Sequence, residues 1–248
     1  MEENYTIDQI REDIIEFKKH PDSQKLENFY YSKSFSEILG VSRREISHSG
    51  FIAWLLDNTE SHKLGDFPIK KFLDIVLTCD KQKDRHSELY NTFVNEDYKI
   101  KKLSVKTEKA IDKGGRLDIY IELTMLIAEI QKKVKLIIEN KVYSKEKDDQ
   151  TNKYYDYFNE KKKEDGETII YIYLTPISKH ELKKIEKPKC DCKEFIQINY
   201  QSIVDYLIEP ALNQNISNET KNILNEYLKS LSQPSIEYDD KEKKDIIE

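Results

Sequence analysis

Residues 115–141 read GRLDIYIELTMLIAEIQKKVKLIIENK, and this stretch decides the fold class. Residues 117–121, Leu-Asp-Ile-Tyr-Ile, form a short dense β-type run, and residues 134–139, Val-Lys-Leu-Ile-Ile-Glu, form another. Short runs rich in β-branched and aromatic residues favour strands. Asp118 sits inside the first run. Glu139 ends the second, with Lys141 two residues on. Residues two apart in a strand face the same side, so Glu139 and Lys141 should project together. If the two strands are neighbours, Asp118 joins them at one end of the sheet. Burying carboxylates there costs free energy unless charge is compensated. A divalent cation compensates two carboxylates, and Mg2+ takes oxygen ligands while keeping several waters. A lysine alongside can orient the attacking water and offset charge at a phosphorane. This residue set fits metal-assisted phosphodiester hydrolysis. An E-x-K triplet alone carries little in a chain so rich in Glu and Lys. An aspartate in one strand, followed after a hairpin-length gap by E-x-K closing an Ile-rich strand, is much rarer.

Residues 110–115, just before this stretch, read as a turn with Gly114-Gly115 at its tip. Residues 99–109 alternate in part and are Lys-rich. Residues 144–158 are a polar helical pattern, 168–174 a buried strand ending at Thr175-Pro176, and 195–198 a further strand. Helices are expected over 202–212 and 217–231, then a charged, mobile tail from Ser235. Towards the N-terminus, residues 5–19 form an amphipathic helix with Ile7, Ile10, Ile14 and Phe17 at helical spacing. A second helical pattern, 25–40, ends at Gly40, a C-cap candidate. Ser47 precedes the apolar stretch 51–56, which is long enough for a buried helix. A polar loop, 58–65, leads to a helix over 67–77 opened by Pro68. The middle of the chain thus reads β, β, β, α, β, then strand and helix. That order implies an α/β fold, a mixed central sheet flanked by helices, with an N-terminal helical region. The expected division is 1–95, helical, packing on the core and contributing a helix to it; 96–212, the core; 213–234, a C-terminal helix; and 235–248, the tail.

Net charge is −6, and 35% of residues are charged. Binding depends on the local field rather than the sum. Residues 99–116 carry Lys99, Lys101, Lys102, Lys106, Lys109, Lys113 and Arg116, opposed only by Glu108 and Asp112. That run is either one wall of a basic groove or a solvated face. Cys79, Cys190 and Cys192 lack zinc-site spacing and are expected to be reduced thiols. The start, Met-Glu-Glu-Asn, has no signal-like segment, and no apolar run approaches a membrane span, so a cytoplasmic location is expected. There is no P-loop motif, helix-turn-helix or zinc-finger signature.

With Gly115-Arg116-Leu117-Asp118-Ile119 followed by Ile137-Ile138-Glu139-Asn140-Lys141, the chain resembles the PD-(D/E)XK nuclease superfamily. Gln150-Thr-Asn-Lys-Tyr154 adds a Q-x-x-x-Y element typical of RecB-like branches. Gln150 and Tyr154 share one helix face; the resemblance implies that this face looks onto the metal site and the substrate backbone. Without the preceding motif they would read as surface polars. Residues 45–57 (EISHSGFIAWLLD) and 61–66 (SHKLGD) are similar to an uncharacterised, defence-linked bacterial subgroup. The similarity covers about residues 35 to 210. Leu117 stands where the first motif's proline would be.

The resemblance implies a restriction-endonuclease-like core and a Mg2+- or Mn2+-dependent deoxyribonuclease. Asp118 and Glu139 would hold metal, Lys141 would assist the water, and Gln150 and Tyr154 would steady the site. Glu108, ten residues before Asp118, is either a further metal ligand or an exposed strand charge. Glu45 and His48, one helical turn apart, are further site candidates, as is Arg116; His48 could equally cap or pack. His62 with Gly65 reads as loop-shaping. The expected partner is nucleic acid, DNA first, with a partner protein or second copy left open and no membrane. Anti-phage defence or DNA processing is the expected setting. The alternative is a catalytically silent or partner-gated binding module on the same fold.

Overall fold

The structure is a computed structural model that describes residues 6–25, 33–80, 87–94, 98–112, 115–142, 146, 148–165, 167–175 and 190–232. It divides into two compact units, residues 1–40 with 225–248, and residues 41–224.

In the first unit, helix α1 (Ile7–Lys19) is opened by a reciprocal capping box between Thr6 and Gln9. Such a box satisfies two N-terminal amides at once. Within the expected helix over 25–40, the described residues from 33 onward form the one-turn α2 (Phe35–Ile38), capped by Ser34 and Glu37. Residues 26–32 of that expectation lie outside the described residues, as does the tail from Ser235. Gly40 follows α2 at φ +67°, the left-handed conformation a helix end favours. The Phe35 amide donates to Glu226 Oε2 at 2.9 Å.

The second unit begins with three helices, α3 (Glu45–Leu56), α4 (Phe67–Cys79) and α5 (Ser87–Val94). Helix α3 starts two residues before Ser47, and Glu45 stands in its first turn, one turn ahead of His48. A five-stranded sheet follows in the order β1 (Lys99–Ala110), β2 (Arg116–Ile127), β3 (Ile130–Asn140), β4 (Thr168–Thr175) and β5 (Ile196–Asn199). The β1–β2 and β2–β3 pairs are antiparallel; β3–β4 and β4–β5 are parallel. The sheet is therefore mixed, flanked by helices, and the chain is α/β.

Strands β2 and β3 run well beyond 117–121 and 134–139. They form a hairpin joined by Ala128 and Glu129 at φ +45° and +65°. Two left-handed residues in a tight turn call for Asn-Gly. Neither is present, so the hairpin carried no turn signature. Strand β1 is one edge of the sheet, and its lysines 99, 101, 102 and 106 are exposed, as suits a strand that must not pair further.

Alternation divides the sheet. Asp118, Tyr120, Ile137, Glu139, Tyr171 and Tyr173 share one face, where Tyr120, Ile137, Tyr171 and Tyr173 pack with Tyr154, Tyr157 and Phe158 of α6 (Gln150–Asp165). The helical pattern seen over 144–158 is thus shifted towards the C-terminus. Ile119, Ile121, Ile138 and Asn140 face the other way, towards α3. Burial on both faces explains why these strands read as near-continuous apolar runs. The chain then enters α7 (Tyr200–Ile203), a wide π turn (Val204–Ile208) and α8 (Glu209–Leu212), followed by α9 (Asn218–Ser232). Pro210 has no amide proton to give to the carbonyl of Tyr206, and the wide turn falls at that carbonyl.

Candidate active site

The last registered pair of the β2–β3 ladder on this side is Ile119↔Ile138, so Asp118 and Glu139 come next, opposite one another on one face. The Asn140 amide donates to Asp118 Oδ2 at 2.7 Å and locks that carboxylate across the strand gap. The Lys141 amide donates to the Leu174 carbonyl at 2.9 Å, which carries the β3 track past its last strand residue. The Lys141 ammonium is in contact with Glu139 Oε1. The side chains of Asp118, Glu139 and Lys141 are therefore brought together.

Glu45 arrives from α3. Its Oε1 accepts from the Val142 amide at 3.2 Å, and Oε2 lies 3.9 Å from the Lys141 ammonium. Glu108 arrives from β1. The pairs Thr107↔Ile119 and Lys109↔Leu117 bracket it opposite Asp118. It adopts φ +52°, a left-handed conformation that costs a non-glycine residue about 1–2 kcal/mol. Arg116 Nη1 meets Glu108 Oε2 at 3.1 Å. Gln150 Nε2 donates to the Tyr154 hydroxyl at 2.7 Å, and that hydroxyl donates to the Arg116 carbonyl at 2.8 Å. This pair thus acts on the backbone two residues before Asp118. Gly115 makes the approach fit: at φ +151°, a Cβ there would stand 3.0 Å from the Tyr154 ring.

Burial raises the Asp118 carboxyl well above the usual carboxylate range; the Asn140 amide and Lys141 only partly oppose it. Burial raises Glu139 further, with the Asp118 charge adding to the shift and Lys141 opposing it. Burial alone would depress the Lys141 ammonium, but Glu139, Asp118 and Glu45 hold it above the ordinary lysine value. The site is a buried excess of negative charge with one internal cation.

His48 does not enter it. Its Nε2 lies 2.7 Å from the Ser42 carbonyl, and its ring packs 5.5 Å from that of Tyr200. Burial lowers its pKa, so the ring is neutral and Nε2 is the donor. Among the described residues no three His, Cys, Asp or Glu side chains gather into a closed metal cage.

His62 is fully buried in the loop after α3. Nδ1 accepts the Leu64 amide at 2.9 Å, so Nε2 carries the proton and donates to the Asp57 carbonyl at 3.0 Å. Burial holds its pKa below the free value. A depressed histidine contributes stability above about pH 6.5 that is lost as pH falls. His62→Ala should cost about 2–4 kcal/mol at pH 7, since the buried ring is lost and the half-buried Leu64 amide and Asp57 carbonyl lose their partner. The melting-temperature gap between wild type and variant should then narrow towards pH 5. A gap independent of pH would overturn this reading.

Sequence reasoning passed over Asn140, the middle residue of E-N-K. Its Nδ2 donates to Ser49 Oγ at 3.0 Å and to the Glu45 carbonyl at 3.3 Å, and its Oδ1 accepts the Tyr200 hydroxyl at 2.7 Å. No sequence signal marks it: it is fully buried, and its partners lie 60 to 95 positions away.

No curated protein and no solved structure gives a significant match to the chain. A family profile described as the PD-(D/E)XK nuclease superfamily does match, over residues 34–229. That span holds the whole sheet, α3, α6 and every side chain of the site, and the chain belongs to the PD-(D/E)XK nuclease superfamily.

Proposed function

We propose that this chain is a Mg2+- or Mn2+-dependent deoxyribonuclease whose site is formed by Asp118, Glu139 and Lys141. The observation that carries the reading is the pairing of two buried carboxylates on one sheet face, with the Lys141 ammonium on Glu139. The donor set fits a divalent cation. Beyond the ion pair to Lys141, neither oxygen of buried Glu139 accepts a hydrogen bond among the described residues. Two buried carboxylates match Mg2+, which binds through one or two carboxylates and keeps waters for substrate phosphate to displace. Asp118 and Glu139 would hold the cation, with Glu108 as a further candidate ligand. When bound, the cation supplies Lewis-acid polarisation of the phosphate and a more acidic water.

The remaining chemistry belongs to the chain. Lys141 sits where an ammonium can orient a water and offset developing negative charge. Glu45 holds the Val142 amide and stands behind Lys141. Gln150 and Tyr154 fix the strand entering Asp118. DNA as substrate, and a place in DNA processing or defence against phage, rest on the likeness of the Gln150–Tyr154 element and of residues 45–66 to nucleases of that kind. No described helix is long and apolar enough to cross a membrane.

The test is a cleavage panel of linear, circular and single-stranded DNA and of RNA, with Mg2+, Mn2+ or EDTA. Cleavage of DNA that needs the metal is expected. Cleavage that survives EDTA, or is confined to RNA, would overturn the corresponding part of the reading.

A further inference from the structure

A further buried polar group lies on the same sheet face. Tyr173 lies on β4 directly beside Glu139 (register pair Glu139↔Tyr173), one strand further along the row Glu108, Asp118, Glu139. Its side chain is fully buried, and its hydroxyl has no hydrogen-bond partner among the described residues. A buried hydroxyl without a partner costs about 1–3 kcal/mol. The polar groups around it are engaged elsewhere. Glu146 Oε1 accepts from Thr151, and Glu146 Oε2 accepts the Asp191 amide at 2.9 Å. Glu45 Oε1 accepts the Val142 amide. The Cys190 thiol is turned to the Cys192 carbonyl at 3.3 Å. Burial, then Cys190, Glu146, Glu139 and Glu45, push the phenol well above its ordinary value, so it keeps its proton and acts as a donor. A donor held in place on the strand beside a carboxylate whose oxygens, the Lys141 ion pair apart, accept no hydrogen bond among the described residues is a half-built network.

Resting on the metal-dependent reading above, we propose that Tyr173 is a positioning residue of the cation site, its hydroxyl donating to a water of the cation's coordination shell at Glu139. Outer-shell donors of this kind commonly govern metal affinity by 10–100-fold. Tyr173 makes a distinctive pair of changes expected together. In the metal-free protein, Tyr173→Phe removes only an unpartnered hydroxyl, so the melting temperature should hold or rise. In the metal-bound protein the same change removes a hydrogen bond, so affinity should fall.

The experiment is Mn2+ titration of the full chain by calorimetry and by electron paramagnetic resonance, with melting temperatures in EDTA and in Mn2+. Tyr171→Phe, one row away on the same strand, is the control for removing a phenol from this layer. The expected result is a Kd for Mn2+ raised tenfold or more in Tyr173→Phe and unchanged in Tyr171→Phe, with the metal-free melting temperature of Tyr173→Phe not lowered. An unchanged Kd in Tyr173→Phe, or equal loss in both variants, overturns the proposal and leaves the metal-dependent reading standing. Absence of Mn2+ uptake by wild type, or uptake that persists in Glu139→Gln, overturns both.

Discussion

Asp118→Asn and Glu139→Gln should each lower nuclease activity by about a thousandfold or more while leaving the metal-free fold at least as stable as wild type. The activity side follows from charge. Each substitution removes half of the paired carboxylates, and loss of several kcal/mol of transition-state stabilisation is about three decades in rate. The stability side follows from the same burial that makes the site useful. Both carboxyls are pushed far above their ordinary range by desolvation, and Asp118 raises Glu139 further. A neutral amide of the same shape relieves that repulsion. In Asp118→Asn the side-chain carbonyl oxygen would still accept the Asn140 amide, so the strand contact survives. Lys141→Ala should lose less activity, about 10²–10³-fold, since it removes a stabilising group and spares both carboxylates. Cleavage rates with Mg2+, paired with melting temperatures in EDTA, check both sides. Wild-type cleavage by either carboxylate variant would remove Asp118 and Glu139 from the chemistry. Inactivity accompanied by a large drop in metal-free melting temperature would make them structural instead.

The parts of this site legible in the sequence are those whose chemistry constrains residue type. Asp118, Glu139 and Lys141 stood out because carboxylates and a lysine at the ends of Ile-rich strands conflict with burial unless something compensates them. The strands themselves were legible where both faces are buried, as in 168–174. They were illegible where Glu122, Thr124, Lys132 and Lys133 diluted the pattern and where Ala128-Glu129 turned the hairpin without glycine or asparagine. Glu108 could be placed only by register, because its position opposite Asp118 depends on an irregularity between Ile100 and Lys102 and on its own left-handed backbone. Glu45 and His48 are one turn apart, and spacing alone could not say that Glu45 turns to Lys141 while His48 turns to Ser42 and Tyr200. Such choices depend on partners far away in the chain.

Asn140 is the clearest of these, and its substitution carries the largest expected effect on stability. The side chain ties the end of β3 to Ser49 and Glu45 of α3, 91 and 95 positions earlier, and to Tyr200, 60 positions later. Asn140→Ala leaves the buried Tyr200 and Ser49 hydroxyls without this partner and opens a small cavity. At about 1–3 kcal/mol for each stranded group, the loss should be about 3–5 kcal/mol, or on the order of 10 °C in melting temperature for a chain of this size. Asn140→Asp keeps the shape and the acceptor for Tyr200, and Ser49 can reverse to become a donor. It sets a new carboxylate against the Glu45 carbonyl, at a sheet end whose opposite face already carries Asp118 and Glu139. It should therefore cost less than alanine in metal-free stability at low pH and more as pH rises and that carboxyl ionises. The backbone amide that holds Asp118 is present in every variant, so activity lost by Asn140→Ala below its melting temperature reports displacement of the β3 end. About 100-fold is expected, because shifts near 1 Å in a reacting constellation cost that much. Melting curves and cleavage rates at a temperature where all variants are folded provide the check. An alanine variant that melts within about 2 °C of wild type, well short of the shift expected for stranded buried groups, would show that Ser49, Glu45 and Tyr200 do not depend on Asn140. Full activity in a destabilised variant would show that the strut holds the fold and leaves the Asp118–Glu139 geometry to the backbone alone.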